Sequence, residues 1–168
     1  MEFVIRRAEI SDLKGIMQVM DEARENPVHP DWFVADDEEF VREHLEEKGF
    51  IVAAQAPDGE IAGFFLVKVP DREENLGVYL GFTEEELTGV AVMDSTAVGS
   101  AYRGHGLQGR MLDVAEQMID REMFPYLMCT VHPENIYSLH NMEKHGYEVK
   151  KTTECYGGLK RHILLKDN

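Results

Sequence analysis

The sequence contains little cysteine and no long hydrophobic run. Its two cysteines, Cys129 and Cys155, have neither metal-ligand nor redox spacing, so we expect reduced core thiols, no disulfide and no metal cofactor. No apolar stretch approaches the roughly 20 residues that cross a bilayer, and the N-terminus lacks the pattern of a signal peptide. These absences favour a soluble, cytoplasmic protein with no membrane partner.

Positive charge is also scarce. The 168 residues include 17 Lys and Arg against 32 Asp and Glu, which gives a formal net charge of -15. Nucleic acids and anionic membranes are bound through basic surfaces, so neither is expected as a partner. The charge favours a cationic partner, although an acidic surface also serves solubility alone. The length fits one domain, predicted over residues 1–168.

Acidic residues are absent from one stretch, residues 95–112, where about three would be expected from composition. Arg103, His105 and Arg110 are present there instead. The stretch follows a β-like run over residues 89–97 and begins a helical apolar pattern. That pattern comprises Leu107, Met111, Val114, Ala115, Met118 and Ile119. The order predicted is therefore strand, glycine-rich turn and helix.

This turn has the features of a phosphate-binding site. The first turn of a helix leaves backbone N–H groups unpaired, glycines allow an anion to approach them, and the helix dipole adds positive potential. A tight turn that only needs positive φ is the alternative. Gly104, Gly106 and Gly109 also spell G-x-G-x-x-G, but residues 99–103 separate them from the strand end, which disfavours a dinucleotide fold.

The run from Ala97 to Leu112 resembles the coenzyme A pyrophosphate loop of the GCN5-related N-acetyltransferases (GNAT). In the family pattern Gln/Arg-x-x-Gly-x-Gly/Ala, Arg103, Gly106 and Gln108 occupy the fixed places, and Gln108 departs from the usual small residue. The resemblance implies that acetyl-CoA is a co-substrate bound by residues of this run. These are Ala97, Val98, Arg103, Gly104, His105, Gly106, Leu107, Gln108, Gly109 and Arg110.

Residues 135–147 resemble the second signature of the same family, Asn-x-x-Ala/Ser-x-x-x-Tyr-x-Lys-x-Gly-Phe. The resemblance implies that Asn135 and Ser138 bind the pantetheine or phosphate arm of the cofactor; a helix N-cap with an ordinary surface serine is the alternative. The family's tyrosine falls on Met142, which cannot donate a proton. Tyr137, His132, Tyr102 or water could act as the general acid in its place.

The resemblance implies an α/β fold in which helices flank a mixed, twisted sheet of six to seven strands. This is the acyl-CoA N-acyltransferase (GNAT-like) fold, in which two central parallel strands, here near residues 92–98 and 126–131, splay around coenzyme A. From local patterns we predict further elements. These are a strand over 3–8, a helix capped by Ser11 or Asp12 and ended by breakers at 26–27 and 29–30, a helix over 37–48 closed by Gly49, a hairpin of 50–56 and 61–69, an irregular acidic segment over 70–87, and strands over 147–153 and 160–166.

The chemistry implied is acetyl transfer from acetyl-CoA to a primary amine of a small molecule or protein. By resemblance, the backbone N–H of Val98 stabilises the oxyanion. Asp94 is the only ionisable residue on the strand face that it shares with Val98, so it is the candidate proton acceptor. Alternatively, Asp94 only binds the ammonium of the acceptor or pairs with a structural cation. A non-catalytic acyl-CoA-binding module is the alternative function. A homodimer is expected by resemblance only, and the acceptor's identity stays open.

Overall fold

The computed structural model describes residues 1–25, 28–29 and 31–168, so the predicted helix breakers Asn26, Pro27 and Pro30 lie outside the described residues. Seven strands join one hydrogen-bonded sheet in the order β1-β2-β3-β4-β5-β7-β6, as expected for the mixed sheet. In chain order the elements are β1 (Val4–Arg7), α1 (Leu13–Arg24), α2 (Glu38–Glu46), β2 (Gly49–Gln55), β3 (Ile61–Lys68), α3 (Glu84–Leu87), β4 (Val90–Val98), α4 (Leu107–Met118), β5 (Tyr126–Val131), α5 (Ile136–Lys144), β6 (Glu148–Cys155) and β7 (Leu159–Asp167).

The chain folds as two compact units. The first comprises Met1–Lys68 and Asp94–Ile119, and the second comprises Val69–Met93 and Asp120–Asn168. In the first unit, β1 and β3 both pair antiparallel with β2, and the two-residue spacing of buried side chains along β3 places Phe64 and Leu66 in the core. The predicted apolar stripe of α1 packs on that core through Leu13, Ile16 and Met20.

In the first unit, one predicted helix cap makes no capping hydrogen bond and one predicted helix end is wrong. Asp12 stands at the N-cap position of α1, but its side chain accepts no hydrogen bond from that helix. Its carboxylate instead accepts two hydrogen bonds from Arg6, of 2.8 and 2.9 Å, and one of 2.8 Å from the Glu9 amide. Gly49 does not close α2, which ends at Glu46, but begins β2, where a Cβ would meet the carbonyl oxygen of Val67.

In the second unit, β5 lies between β4 and β7. It pairs antiparallel with β7 along its whole length, whereas its parallel register with β4 covers only the three pairs from Val90↔Tyr126 to Val92↔Met128. The two parallel strands therefore share hydrogen bonds only at their beginnings. The antiparallel pair of β6 and β7 agrees with the two strands predicted near the C-terminus.

The prediction that the segment over residues 70–87 is irregular is wrong. The segment contains a 3-10 turn over Leu76–Leu80, which is followed by α3. The buried Asn75 side chain holds the segment together: its Nδ2 donates to the Leu87 carbonyl (2.8 Å) and its Oδ1 accepts from the Gly77 amide (2.9 Å). Leu76 packs into the core of the unit. The segment is thus ordered, with Asp71, Glu73, Glu74, Glu84 and Glu85 on its surface.

Both cysteines are buried free thiols, which confirms the prediction for Cys129 and Cys155. Burial raises the pKa of each thiol. Within the described part of the chain, no helix has the length and hydropathy needed to span a membrane.

Candidate active site

The acid-free stretch adopts the predicted order of strand, glycine-rich turn and helix. β4 ends at Val98, a 3-10 turn covers Ser100–Tyr102, and α4 begins at Leu107. Gly104 has φ of 86° and Gly106 has φ of 66°, a backbone region that L-residues with a Cβ rarely adopt. Gly106 is the N-cap of α4, so this left-handed residue sets the direction in which the helix begins.

The amide groups in the first turn of α4 have no acceptor within the helix. Gly106 carries no side chain that could cap the helix, and the first turn contains no acidic residue. The first backbone hydrogen bond of the helix is donated by Arg110 to the Gly106 carbonyl (3.1 Å), so the N–H groups of residues 107–109 have no carbonyl of α4 to bind. A Cβ at Gly104 or Gly106 would meet no atom within 4 Å. These donors therefore border open space, as an anion site requires.

The three basic residues of the stretch differ in their surroundings. Arg110 Nη2 donates to the Phe3 carbonyl (3.4 Å), and the ring of His105 lies 5.1 Å from that of Phe3. Arg103 is exposed. Glu22 of α1 accepts a hydrogen bond from the Ser100 amide (2.7 Å). Hydrogen bonds from the Ser100 side chain and amide lower the pKa of Glu22, and the charge of Arg103 adds to this. The turn is thus tied to α1 and β1.

The end of β4 leaves one backbone donor directed away from β3. The Gly99 amide donates to the Ala62 carbonyl (2.8 Å), so it points toward β3. Because consecutive amides of an extended strand point to opposite edges, the N–H of Val98 points to the edge opposite β3. The Thr96 hydroxyl donates to the Phe64 carbonyl (2.9 Å) and fixes the same strand against β3.

Asp94 lies in a charged cluster. Its Oδ1 is 3.6 Å from the Nζ of Lys68, and the two side chains are only 14% and 13% exposed. Lys68 Nζ also lies 6.0 Å from the centroid of the Phe40 ring, a cation–π distance. One of the predicted alternatives for Asp94, pairing with a structural cation, is therefore observed.

A second carboxyl group, that of Asp36, faces this cluster, and the sequence analysis missed it. Burial raises the pKa of Asp36 to about 7 and the charge of Asp94 adds to the rise, whereas the Ser95 hydroxyl and Lys68 oppose it. In the described chain, neither the buried Oδ2 of Asp36 nor the buried Oγ of Ser95 has a hydrogen-bond partner of good geometry. Asp36 precedes the capping Asp37 in a loop, so no periodicity or motif singles it out.

The residues of the second signature lie in the second unit. Asn135 is the N-cap of α5 and its Oδ1 accepts from the Ser138 amide (3.2 Å), which is the alternative predicted for it. Met142, at the family's tyrosine position, is 4% exposed and belongs to the core. The binding of coenzyme A by Asn135 and Ser138 stays a prediction.

Comparison with known proteins identifies the family. The model of the Acetyltransferase (GNAT) family matches residues 13–147. Arabidopsis thaliana NAA60, solved with acetyl-CoA, is 15% identical, with a TM-score of 0.75 and coverage of 99% of this chain and 100% of that one. The NatC complex bound to Gag peptide and CoA gives 19% identity, a TM-score of 0.73 and coverage of 100% and 99%. The Escherichia coli ribosomal-protein-S18-alanine N-acetyltransferase is 15% identical, with a TM-score of 0.70 and coverage of 99% of this chain and 94% of that one. A comparison with curated protein sequences gives no significant match.

The chain belongs to the GNAT acetyltransferase family, because the family model covers most of its length. The predicted fold is confirmed, and so is the prediction of an acyltransferase that takes its acetyl group from acetyl-CoA.

Proposed function

We propose that the protein transfers an acetyl group from acetyl-CoA to a primary amine, and that the turn before α4 binds the diphosphate of the co-substrate. The observation that carries this proposal is the first turn of α4, where the amides of residues 107–109 have no acceptor within the helix and a Cβ at Gly104 or Gly106 would meet no atom within 4 Å. A diphosphate would accept hydrogen bonds from these amides at the positive end of a helix dipole. Arg103 adds an exposed positive charge beside this turn.

Some of the remaining loop residues would contact coenzyme A through backbone groups, and others would do so through their side chains. Ala97 and Val98 offer backbone groups at the end of β4, and Leu107 and Gly109 do so in the first turn of α4. His105 and Arg110 contact Phe3, so they hold the turn as well as adding positive charge. Gln108 is half-buried and contributes its amide, while its side chain must leave room for the phosphate.

The backbone N–H of Val98 is the proposed donor to the oxyanion. When a neutral amine attacks the thioester, negative charge grows on the carbonyl oxygen, and a fixed donor aimed there stabilises the transition state. The direction of this N–H, away from β3, leaves it outside the pairing of those two strands. A backbone donor needs no reorganisation during the reaction, because the strand already fixes it.

Asp94 is the proposed proton acceptor on β4. The acceptor amine is largely protonated at pH 7, since its reference pKa is about 10, so a base must remove one proton before attack. The carboxylate of Asp94 lies 3.6 Å from Lys68 Nζ, and it is the ionisable group that this face of β4 provides. Its partly buried carboxylate also favours a cationic acceptor, in keeping with the net charge of -15.

We further propose that residues 1–168 form one acetyltransferase domain, because the family model spans residues of both compact units. The two buried free thiols are in keeping with a cytoplasmic location. A homodimer stays a prediction of the resemblance, and light scattering would test it.

A non-catalytic acyl-CoA-binding module is the second candidate. The burial of Met142 favours it, because the position that carries a tyrosine in the family supplies no acid here. This candidate predicts saturable coenzyme A binding with no acyl transfer to any amine, whereas the enzyme predicts both.

The proposed function is tested by mixing the purified protein with acetyl-CoA and a panel of polyamines, amino acids and peptides. A thiol reagent measures the free coenzyme A released, and mass spectrometry measures the acetylated amine. We expect release that depends on one class of amine and saturates with acetyl-CoA. Saturable coenzyme A binding without release on the whole panel would favour the binding module instead.

A further inference from the structure

Lys68 carries an ammonium group of the candidate active site that has no role in the proposed reaction. It is the last residue of β3, and its Nζ lies 3.6 Å from Asp94 Oδ1 and 6.0 Å from the centroid of the Phe40 ring. A carboxylate and the face of an aromatic ring both attract an ammonium. The Lys68 and Asp94 side chains are only 13% and 14% exposed, so solvent screens this attraction weakly. The position of Lys68 Nζ therefore has the surroundings that a bound primary ammonium requires.

The aromatic side of this position is fixed by packing. Phe40 packs against the core of the first unit, and its ring centroid lies 4.2 Å from that of His44, which is 2% exposed. Nδ1 of His44 donates to the Phe40 carbonyl (2.8 Å), so the two residues are joined across one turn of α2. A Cβ on Gly49, the cross-strand neighbour of Lys68, would lie 3.1 Å from His44 Cδ2. The absence of a side chain at Gly49 therefore leaves room for the His44 ring.

The ion pair of Lys68 with Asp94 is longer than a charge-assisted hydrogen bond. Such bonds measure about 2.7–2.9 Å. The pair of Arg6 with Asp12 in the same unit meets that length at 2.8 Å, whereas Lys68 Nζ and Asp94 Oδ1 are 3.6 Å apart. The lysine stem is flexible, and Lys68 is the last residue of its strand, so the side chain can move without disturbing the sheet. A second primary ammonium can therefore displace that of Lys68 by making a shorter contact with Asp94.

We propose that Lys68 Nζ occupies the binding position of the acceptor's ammonium, and that the acceptor displaces it on binding. The inference rests on the proposed function, in which Asp94 accepts the proton of that ammonium. It names the acceptor class as unbranched primary alkylamines, because the lysine side chain is one. When no acceptor is bound, Lys68 supplies the counter-charge without which the nearly buried Asp94 carboxylate would be costly.

Competition by a minimal probe tests this proposal on the wild-type protein. n-Butylammonium has the four-carbon chain and the charge of a lysine side chain, and 1-butanol has the same chain without the charge. Against an amine that the panel identifies as a substrate, n-butylammonium should raise the apparent KM for that amine and leave kcat unchanged. Mass spectrometry of the acetylated acceptor gives the rate, because n-butylamine can itself be acetylated. Inhibition that is competitive with acetyl-CoA instead, or equal effects of the two probes, would overturn the proposal.

Lys68→Met removes the competing ammonium. We expect KM for the acceptor to fall by about tenfold, because the binding position no longer has to be vacated first. If Lys68 only positions Asp94, the variant should instead lower kcat with KM unchanged, and if Lys68 binds an acidic group of the acceptor, KM should rise. Either result would contradict the proposal.

The matched control is Lys48→Met, which removes the same charge from an exposed lysine of the same unit and breaks its ion pair with Glu43 (2.9 Å). It should leave KM for the acceptor and the inhibition by n-butylammonium unchanged. A fall in KM of the same size in Lys48→Met would attribute the effect to net charge and would overturn the role of Lys68.

Thermal unfolding separates this inference from the proposed function without turnover. n-Butylammonium should raise the Tm of Lys68→Met in a saturable way, because it restores a counter-charge at Asp94, and the double variant Lys68→Met/Asp94→Asn should lose this effect. An equal rise in Tm with 1-butanol would overturn the ammonium site. The stabilisation without acetyl transfer to any amine would contradict the proposed function, whereas transfer without competition by n-butylammonium would contradict this inference alone.

Discussion

The turn before α4 depends on the backbone conformation of individual glycines. Gly106 has φ of 66° and ψ of 24° at the N-cap, so a Cβ there introduces strain without any contact with neighbouring atoms. Gly81, which ends the 3-10 turn of the second unit, has φ of 74° and equally open surroundings. Substituting each of these two glycines by alanine therefore separates the effect of backbone strain on stability from the effect of the loop geometry on coenzyme A binding.

Gly106→Ala should lower the free energy of unfolding by about 1–2 kcal/mol, the cost of a left-handed L-residue, and should weaken coenzyme A binding. Gly81→Ala should cost a similar amount and leave the affinity unchanged. Denaturant titration measures the first quantity and calorimetry the second. If both variants lost affinity equally, strain in general would explain the loss rather than the geometry of the loop.

Asp12 provides a prediction about pH and stability. The hydrogen bonds from Arg6 lower the pKa of Asp12, so its contribution is fully present above the unfolded value of about 3.9 and is lost as pH falls through the lower folded value. Asp12→Asn should cost about 2 kcal/mol at pH 7, typical of hydrogen bonds to a charged group. The deficit, measured by denaturant titration, should shrink between pH 5 and pH 2. In Glu39→Gln, which alters an exposed carboxylate, a comparable deficit would contradict this assignment.

At the residue scale, sequence patterns identify side chains on regular elements but not those brought together by loops. Alternation along β4 was enough to select Asp94. The contact of Asp12 with Arg6 and the burial of Asp36 Oδ2 depend on tertiary folding, and neither leaves a periodic signal. The sequence therefore predicted Asp94 and missed Asp36.

At the scale of elements, α4 combines two functions that have opposite charge requirements. A negative side chain in its first turn would stabilise the helix through the dipole, yet none is present there. That absence is what an anion site needs. The first turn of α4 thus lacks a stabilising acidic side chain at the proposed diphosphate site.

Gln108→Glu should therefore raise the free energy of unfolding by about 0.3–1 kcal/mol while weakening coenzyme A binding at least tenfold. Gln117→Glu is the matched control, because it makes the same change in the exposed last turn of α4. It should slightly destabilise the helix and leave the affinity unchanged. An unchanged coenzyme A affinity in Gln108→Glu would argue against a phosphate at this helix end.

The regular elements were predictable because the spacing of apolar residues determines them. The strands β2, β3, β4 and β5 correspond to apolar runs, and the Asp58-Gly59 turn between β2 and β3 was evident from its residues. The segment over residues 70–87 was not predictable, because its order depends on the Asn75 side chain and on Leu76 packing in the core. Neither interaction is visible in a charge-rich sequence.

On the scale of the whole molecule, the net negative charge opposes the binding of an anionic co-substrate. A protein of net charge -15 repels an anion such as coenzyme A at long range, so binding must come from a local site. The acid-free residues 95–112 are that site in our account. The same overall charge would attract a cationic acceptor, which is the kind of acceptor proposed above.

The measurement that tests the central claim most directly is calorimetric titration of coenzyme A into the wild-type protein, Arg103→Glu and Arg121→Glu. Pantetheine, which lacks the diphosphate, is titrated into the same three proteins. Arg121 is exposed outside the loop, so its reversal makes the same change in net charge. We predict that Arg103→Glu weakens coenzyme A binding at least tenfold, about 1.4 kcal/mol, with no change for pantetheine, and that Arg121→Glu stays within about twofold of wild type. Equal affinities for coenzyme A in all three proteins would contradict the account.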